Sequence, residues 1–251
     1  MSIKISVCLA AYNGEKYIES QISSIMNQLN QGDELIIVND YSTDRTIEIV
    51  ESIQDTRIKI INNKINLGIV KSFEKSIANA SGNIIFLSDQ DDIWIQNKVE
   101  RVIAEFEKDV AITLVITDAL LINTDGELIS NSFFKELGGF SSGFIANLIK
   151  NKYHGCTIAF KKEMRTFILP FPTNLAMHDI WIGMCNVLYG KTFYIDEPLI
   201  QYRRHGGNHG PGIYKIGLFN NTNVFKVIGW RISLIVNIAR LVINKNILNK
   251  K

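Results

Sequence analysis

The sequence predicts an α/β fold built on a largely parallel sheet with helices on both faces. Three observations lead there. Short apolar runs alternate with stretches of helical period through the first 120 residues, as successive strand–helix units do. Carboxylates stand just past the ends of those apolar runs, where sheets of this kind bind ligands. A chain of 251 residues, 46% hydrophobic and 21% charged, can bury a sizeable core and is not disordered.

The elements follow in order. Ile3–Leu9 reads as a strand, and Ile18, Ile22, Ile25 and Met26 give the next helix its apolar face. Leu35–Val38 is the second strand. Ser42 is expected to cap a helix carrying Ile47, Val50 and Ile53, with Asp44 favouring its dipole. Ile58–Ile61 is a third strand, 69–80 a helix ended near Gly82, and Ile84–Leu87 a fourth strand. Asn97–Lys108 reads as helix and Ala111–Thr117 as strand. Residues 130–155, rich in Gly, Ser, Asn and Phe, read as loop. A helix buried nearly all round starts at His178, after Pro170 and Pro172.

Cys8, Cys156 and Cys185 are far apart, odd in number and flanked by apolar residues. They are expected to be core thiols of a reducing compartment, not a disulfide framework or a metal site. The N-terminus enters a strand almost at once, so no signal peptide is expected. The net charge of +2 hides an asymmetry: all 25 acidic residues precede residue 198, and the rest holds nine Lys and Arg with no acid. That division points to different partners for the two parts.

The run Phe86-Leu87-Ser88-Asp89-Gln90-Asp91-Asp92-Ile93-Trp94 puts three carboxylates at a strand end. Such a cluster persists when a cation or a proton offsets its repulsion, and hard oxygen ligands suit Mg²⁺ or Mn²⁺ beside a phosphate-bearing substrate. A solvated acidic loop is the plain alternative. An EF-hand loop is excluded, because Trp94 stands where Gly is needed and Ile93 where an oxygen ligand is needed.

Five motifs occur in order: Val7 to Asn13; Ile37-Val38-Asn39-Asp40-Tyr41-Ser42-Thr43-Asp44; Asn66-Leu67-Gly68; the acidic run; and, beyond it, Gly155-Cys156-Thr157, His178-Asp179-Ile180-Trp181 and Tyr202-Arg203-Arg204-His205-Gly206 as one C-terminal set. Over about residues 3–210 the chain resembles the inverting nucleotide-sugar glycosyltransferases of the GT-A fold. More narrowly it resembles the bacterial branch that includes rhamnosyltransferases of surface-polysaccharide (O-antigen or capsule) assembly. The family often has Asp where Asn39 stands.

The resemblance implies a catalytic domain over 1–212, with a nucleotide-binding half (1–120) and an acceptor-binding half (121–212), and a separate tail at 213–251. It implies that Ala10 and Tyr12 line the nucleotide pocket, that Asp40 accepts from the imide N–H of uracil or thymine, and that Asp89 holds the ribose side. Asp91 would bind Mn²⁺ or Mg²⁺ with Asp92 in support. Asp179 would be the general base on the acceptor hydroxyl. Arg204 and His205 would close over the diphosphate, and Lys71 would reach it from the sheet edge. The donor would be a dTDP- or UDP-sugar and the acceptor a glycan or lipid-linked oligosaccharide, with no nucleic-acid partner. His205 replaces the Trp of the Gln-x-x-Arg-Trp motif of processive sugar polymerases, so a single addition is expected. A sugar-phosphate nucleotidyltransferase would need basic residues where Ala10-Ala11-Tyr12-Asn13-Gly14 has none. A non-catalytic sugar-binding module stays open as a third class.

Residues 223–248 read as a helix with Lys226, Ser233, Asn237, Arg240 and Asn244 on one face and an apolar remainder that includes Trp230. Arg231 and Arg240 inside the apolar segment argue against spanning a bilayer. A helix lying on an anionic membrane fits, on the cytoplasmic leaflet where a lipid-linked acceptor would be. Docking on the protein's own core or in a homodimer is the alternative.

Overall fold

The computed structural model describes residues 3–205 and 224–248, with side chains of the last helix described over 228–243. In chain order the elements are β1 (Ile5–Ala11), α1 (Ile18–Met26), β2 (Glu34–Asn39), α2 (Thr46–Ser52), β3 (Ile58–Asn62), α3 (Ile69–Asn79), β4 (Ile84–Ser88), β5 (Ile93–Trp94) and α4 (Lys98–Lys108). There follow β6 (Ile112–Ile122), β7 (Leu128–Ser130), α5 (Phe133–Glu136), α6 (Phe144–Ile149), β8 (Ile158–Lys161), α7 (Arg165–Ile168), α8 (His178–Tyr189), β9 (Lys191–Arg203) and α9 (Val224–Leu248).

The strands form one nine-stranded sheet in the order β3-β2-β1-β4-β8-β6-β9-β5, with β7 paired to β6. β3, β2, β1 and β4 are parallel to one another. The apolar runs of β2, β1 and β4 are buried on both faces, as strands covered by helices on each side must be: Val7, Cys8, Leu9, Leu35 to Val38 and Ile85 to Leu87 are all fully enclosed, while β3 at the edge is half-buried. Beyond β4 the sheet becomes mixed. β8 lies antiparallel to both β4 and β6, β9 is parallel to β6, and β5 is antiparallel to β9.

β1 runs two residues past Leu9 and carries Ala10 and Ala11 to the end of the sheet where β2 and β4 also stop. Ser42 does not cap α2, which begins at Thr46. Asp44 does the local work instead: Oδ1 accepts from the Thr46 N–H (3.0 Å) and Oδ2 from the Glu15 N–H (3.1 Å). Ser42 Oγ accepts from the N–H of Asn13 at 3.1 Å, tying the β1 and β2 loops together. The three cysteines are free thiols in the core.

The expected division at residue 120 falls inside β6, and both halves supply strands to the one sheet. The expected boundary at 212/213, like Gly206, lies outside the described residues. α9 packs on the body through Leu234 and Ile238, 5% and 6% exposed, with Leu241 beside them. Ser233 and Asn237, from the polar face read in the sequence, are half-buried on that same side, and Arg240 is exposed. Lys226 and Asn244 have side chains outside the described set. No helix among the described residues is long and apolar enough to cross a membrane.

Candidate active site

A cleft of about 800 Å³ opens at the carboxyl ends of β1, β2 and β4 and extends to the start of α8. Ala10, Tyr12 and Asp40 line one end, Asp89, Gln90 and Asp91 the floor, and His178 and Asp179 the far side, with His154, Tyr202 and His205 closing round them. The cleft thus joins residues from Ala10 near the start of the chain to His205 near the end of the described body.

Asp40 follows β2 directly and is 3% exposed. Its Oδ1 accepts from Asn63 Nδ2 (2.8 Å) and the Leu67 N–H (2.8 Å), and its Oδ2 from the Gly68 N–H (2.7 Å). Asp40 therefore shapes the Asn66-Leu67-Gly68 turn, and Gly68, at φ +85°, suits that turn because it has no Cβ. Oδ2, with one partner, keeps acceptor capacity for a further donor.

The acidic loop is anchored by neutral amides. Gln90 Oε1 accepts from the Tyr12 N–H (2.9 Å) and Gln90 Nε2 donates to the Tyr12 carbonyl (3.0 Å). Gln21 Nε2 donates to Ser88 Oγ (2.6 Å) and to the Asp89 carbonyl (3.1 Å). A Cβ at Gly14 would lie 2.3 Å from Gln90 Oε1, so a side chain there would displace the amide. Sequence reasoning passed over Gln90 because it weighed the charged members of the loop; its place between Asp89 and Asp91 was the available signal.

The three carboxylates differ in surroundings. Burial, then Asp91 and Asp179, push Asp89 up to about 8. Burial, then Asp91 and Asp89, push Asp92 well above the usual carboxylate range. Asp92 is fully buried, with Oδ1 accepting from the Arg203 N–H (3.0 Å) and Oδ2 without a hydrogen-bond partner. Asp91 faces the cleft, and its Oδ2 lies 2.7 Å from His205 Nε2. Ligand atoms of Asp89, Asp92 and Cys156 lie within 4.8 Å of one another. Crowded carboxylates with a buried oxygen lacking a partner are what a divalent cation would satisfy, so the carboxylates of this group fit Mn²⁺ or Mg²⁺, hard cations that take oxygen and not the Cys156 thiol, which burial keeps protonated. Under the loop, fully buried Lys98 donates from Nζ to the Cys156 carbonyl (3.2 Å) and lies 4.9 Å from the Trp94 ring centroid. Burial pulls its ammonium down to about 7 against the opposing pull of Cys156 and Asp92.

The Tyr202–His205 segment splits its duties. Arg203 is 5% exposed; its Nε donates to the Asp91 carbonyl (3.0 Å), its Nη1 to the carbonyls of Asn123 and Thr124, and its guanidinium lies 4.6 Å from the Tyr17 ring centroid. His205 stacks on Tyr17 at 5.6 Å. Arg204 does not line the cleft, though its charge bears on His154. Lys71 also lies outside the lining, paired with Glu74 at 2.6 Å on the surface of α3. The sequence placed both toward a diphosphate; only His205 of the three stands on the cleft wall.

Asp179, in the first turn of α8, is 3% exposed and lines the cleft opposite Asp89 and Asp91. Burial pushes its carboxyl up to about 7, opposed by hydrogen bonds from the Ile180 N–H (2.6 Å) and Asn151. Beside it, the His178 ring stacks on Phe73 at 4.0 Å and burial pulls it down to about 3, so it is neutral. Neither of its ring nitrogens has a hydrogen-bond partner, nor has Nε2 of His154.

The chain belongs to glycosyl transferase family 2, whose model matches residues 6–164. It is 36% identical over 100 residues, 40% of each chain, to the UDP-Glc:alpha-D-GlcNAc-diphosphoundecaprenol beta-1,3-glucosyltransferase WfgD of Escherichia coli. Its fold is like that of S. aureus TarS 1-349 in complex with UDP-GlcNAc, with a TM-score of 0.70 and 20% identity over 94% of this chain and 67% of that one. It is also like that of the mannosyltransferase PcManGT from Pyrobaculum calidifontis in complex with GDP-Man and Mn²⁺, with a TM-score of 0.60 and 17% identity over 80% and 57% of the two chains. The chain spans from 14% to 66% of the length of three curated relatives it matches.

Proposed function

We propose that this chain transfers one sugar, with inversion, from a UDP- or dTDP-sugar to a glycan or lipid-linked oligosaccharide during surface-polysaccharide synthesis. Rhamnose is the donor sugar the sequence resemblance favours. One observation carries the reading. A buried carboxylate held near 7, Asp179, faces an acidic loop that fits a divalent cation, across a single cleft.

In this reading the two substrates take opposite ends of the cleft. Ala10, Tyr12 and Asp40 would receive the nucleoside, with Asp40 Oδ2 accepting from the base N–H. Asp91 and His205 would meet the diphosphate end. Asp91, with Asp89 and Asp92, would hold Mn²⁺ or Mg²⁺, which when bound neutralises charge on the departing nucleoside diphosphate. Asp179 takes the proton of the acceptor hydroxyl as its oxygen bonds to the anomeric carbon. The bond from that carbon to the diphosphate oxygen breaks, and the electron pair leaves with the nucleoside diphosphate. Attack from the face opposite the leaving group inverts the anomeric centre. A carboxylate near neutrality is matched to that task, since enough is ionised to accept the proton and it is basic enough to pull it. Neutral His178 and His154 leave the anion at Asp179 free of a competing cation.

The acceptor's lipid carrier would put the enzyme on the inner face of the cell membrane. The test is to incubate the purified chain with Mn²⁺, a panel of UDP- and dTDP-sugars including dTDP-rhamnose, and glycan acceptors. Release of UDP or dTDP with an inverted anomer in the product is expected. Retention of configuration, or no release with any donor, overturns the reading.

A further inference from the structure

α9 has two contrasting sides. On the protein side, Leu234 and Ile238 are buried, Ser233 Oγ donates to the Asn174 carbonyl (3.4 Å), and Asn237 Nδ2 reaches Ser233 Oγ (3.3 Å). On the outer side Ile228, Ile232, Ile235, Val236 and Ile243, 40% to 57% exposed, make a continuous stripe at helical spacing. A helix on a water-facing surface normally points its polar residues outward, and this one turns Ser233 and Asn237 inward. Next to it, Ile145 and Ile149 of α6 are 71% and 62% exposed, and the Arg231 guanidinium donates to the Ile149 carbonyl, which sets the two helices side by side.

The charged residues on these two helices and at the end of α6 have one sign. Arg231 and Arg240 stand exposed on either flank of the α9 stripe, and Lys150 follows α6. Neither helix contains a carboxylate. A second copy of the chain docking here about a two-fold axis would bring these cationic rims together with no acid on either helix to offset them. An anionic lipid surface accepts both the isoleucines and the arginines.

The patch also has a place relative to the cleft. α6 leads through Lys150 to Asn151, whose side chain hydrogen-bonds Asp179, and Asn174, held by Ser233, lies just ahead of α8. We infer that the outer faces of α6 and α9 form one docking surface for an anionic bilayer at the acceptor end of the cleft. The orientation rests on the reading of a lipid-borne acceptor; the bilayer contact itself stands on the patch alone. A bilayer on this side puts an acceptor carried by a lipid within reach of Asp179 and keeps the nucleotide end toward water.

The experiment uses the full chain with phosphatidylcholine vesicles with and without phosphatidylglycerol, and its release of UDP or dTDP onto a soluble acceptor is assayed in parallel. The wild type should pellet with the phosphatidylglycerol vesicles and be released by added salt, because screening weakens the cationic contribution. Ile232→Ser with Ile235→Ser should weaken partitioning about tenfold or more, by removing two apolar side chains from the contact, while transfer to the soluble acceptor is unchanged. Ile145→Ser on α6 should weaken it too, in a protein whose α9 is untouched. Wild type that stays in the supernatant at low salt, or variants that pellet like it, overturns the inference. So does a lipid-free dimer by sedimentation velocity that the double variant splits, since the stripe is then a subunit contact. Vesicle binding without any transfer leaves this inference standing and counts against the enzymatic reading alone.

Discussion

Gln90 and Tyr12 exchange two hydrogen bonds across the floor of the cleft, amide to backbone in both directions, at 2.9 and 3.0 Å. The loop after β1 and the acidic loop after β4 are thereby one unit. The nucleoside end and the metal-fitting end of the cleft cannot shift independently while that pair holds.

Gln90→Ala should therefore weaken nucleoside diphosphate binding about tenfold, the combined worth of two modest hydrogen bonds, with the fold intact. Gly14→Ala should do the same from the other side by pushing Gln90 aside. Calorimetric titration of both variants with UDP and dTDP checks this; wild-type affinity in both would mean the strands alone order the loop.

Asp91→Asn removes the charge that faces the cleft and keeps the shape. Nucleoside diphosphate affinity with Mn²⁺ should fall to the level seen without metal, and added Mn²⁺ should no longer raise it. Unaltered Mn²⁺-dependent affinity would move the cation to other ligands.

Asp179→Asn should lower transfer about 10²- to 10⁴-fold and leave nucleoside diphosphate binding unchanged, because the base acts on the acceptor in the transition state. Asp179 works ionised, and burial holds it near 7. Transfer by the wild type should accordingly rise with pH and level off above about pH 7, losing tenfold per unit below it. A flat profile from pH 5 to 8 would remove Asp179 from the role.

Glu34 tests the sheet. It is 2% exposed, and although burial raises its pKa, bonds from Lys59, Ser6 and Ser81 outweigh that and hold it down to about 2 from 4.5. Because the folded value is the lower one, its contribution is full above pH 4.5 and is lost as pH falls toward 2. Glu34→Gln should cost on the order of 2 kcal/mol at pH 7 in urea unfolding and much less at pH 3. An equal loss at both pH values would mean that packing, not charge, is what Glu34 supplies.

The parallel half of the sheet was legible because its strands are unbroken apolar runs bounded by turn residues, as in Ile84–Ser88 between Gly82 and Asp89. In the second half Ala111–Thr117 was legible as the first part of β6, but β8 and β9 were not. β8 is four residues long and enclosed by helical turns, and β9 carries Pro198, which disqualifies a strand by pattern. In the structure Pro198 sits opposite Asp118 at a shift in register, so its missing N–H is tolerated. The charged site residues were legible by kind and order, but Lys98 was not, since a lysine at a helix start reads as solvated and here is buried. Periodicity gave α9 two faces and said nothing about which one the body takes, because Ser233 and Asn237 can bond to protein as readily as to water.

The strand order has a consequence for how this chain can be built and rebuilt. β4 finds its partner β8 some 70 residues on, and β5 finds β9 more than 100 residues on, with β6 wedged between strands that follow it. Pairings so distant in sequence close large loops before they stabilise anything, which predicts slow, all-or-none folding. They also forbid a clean exchange of halves. A crossover near residue 120 would cut β6, and an exchange of the span from β7 to α6 would have to keep Ser132, Phe133 and Phe134, which reach Asp118 of β6 and Tyr194 and Tyr202 of β9.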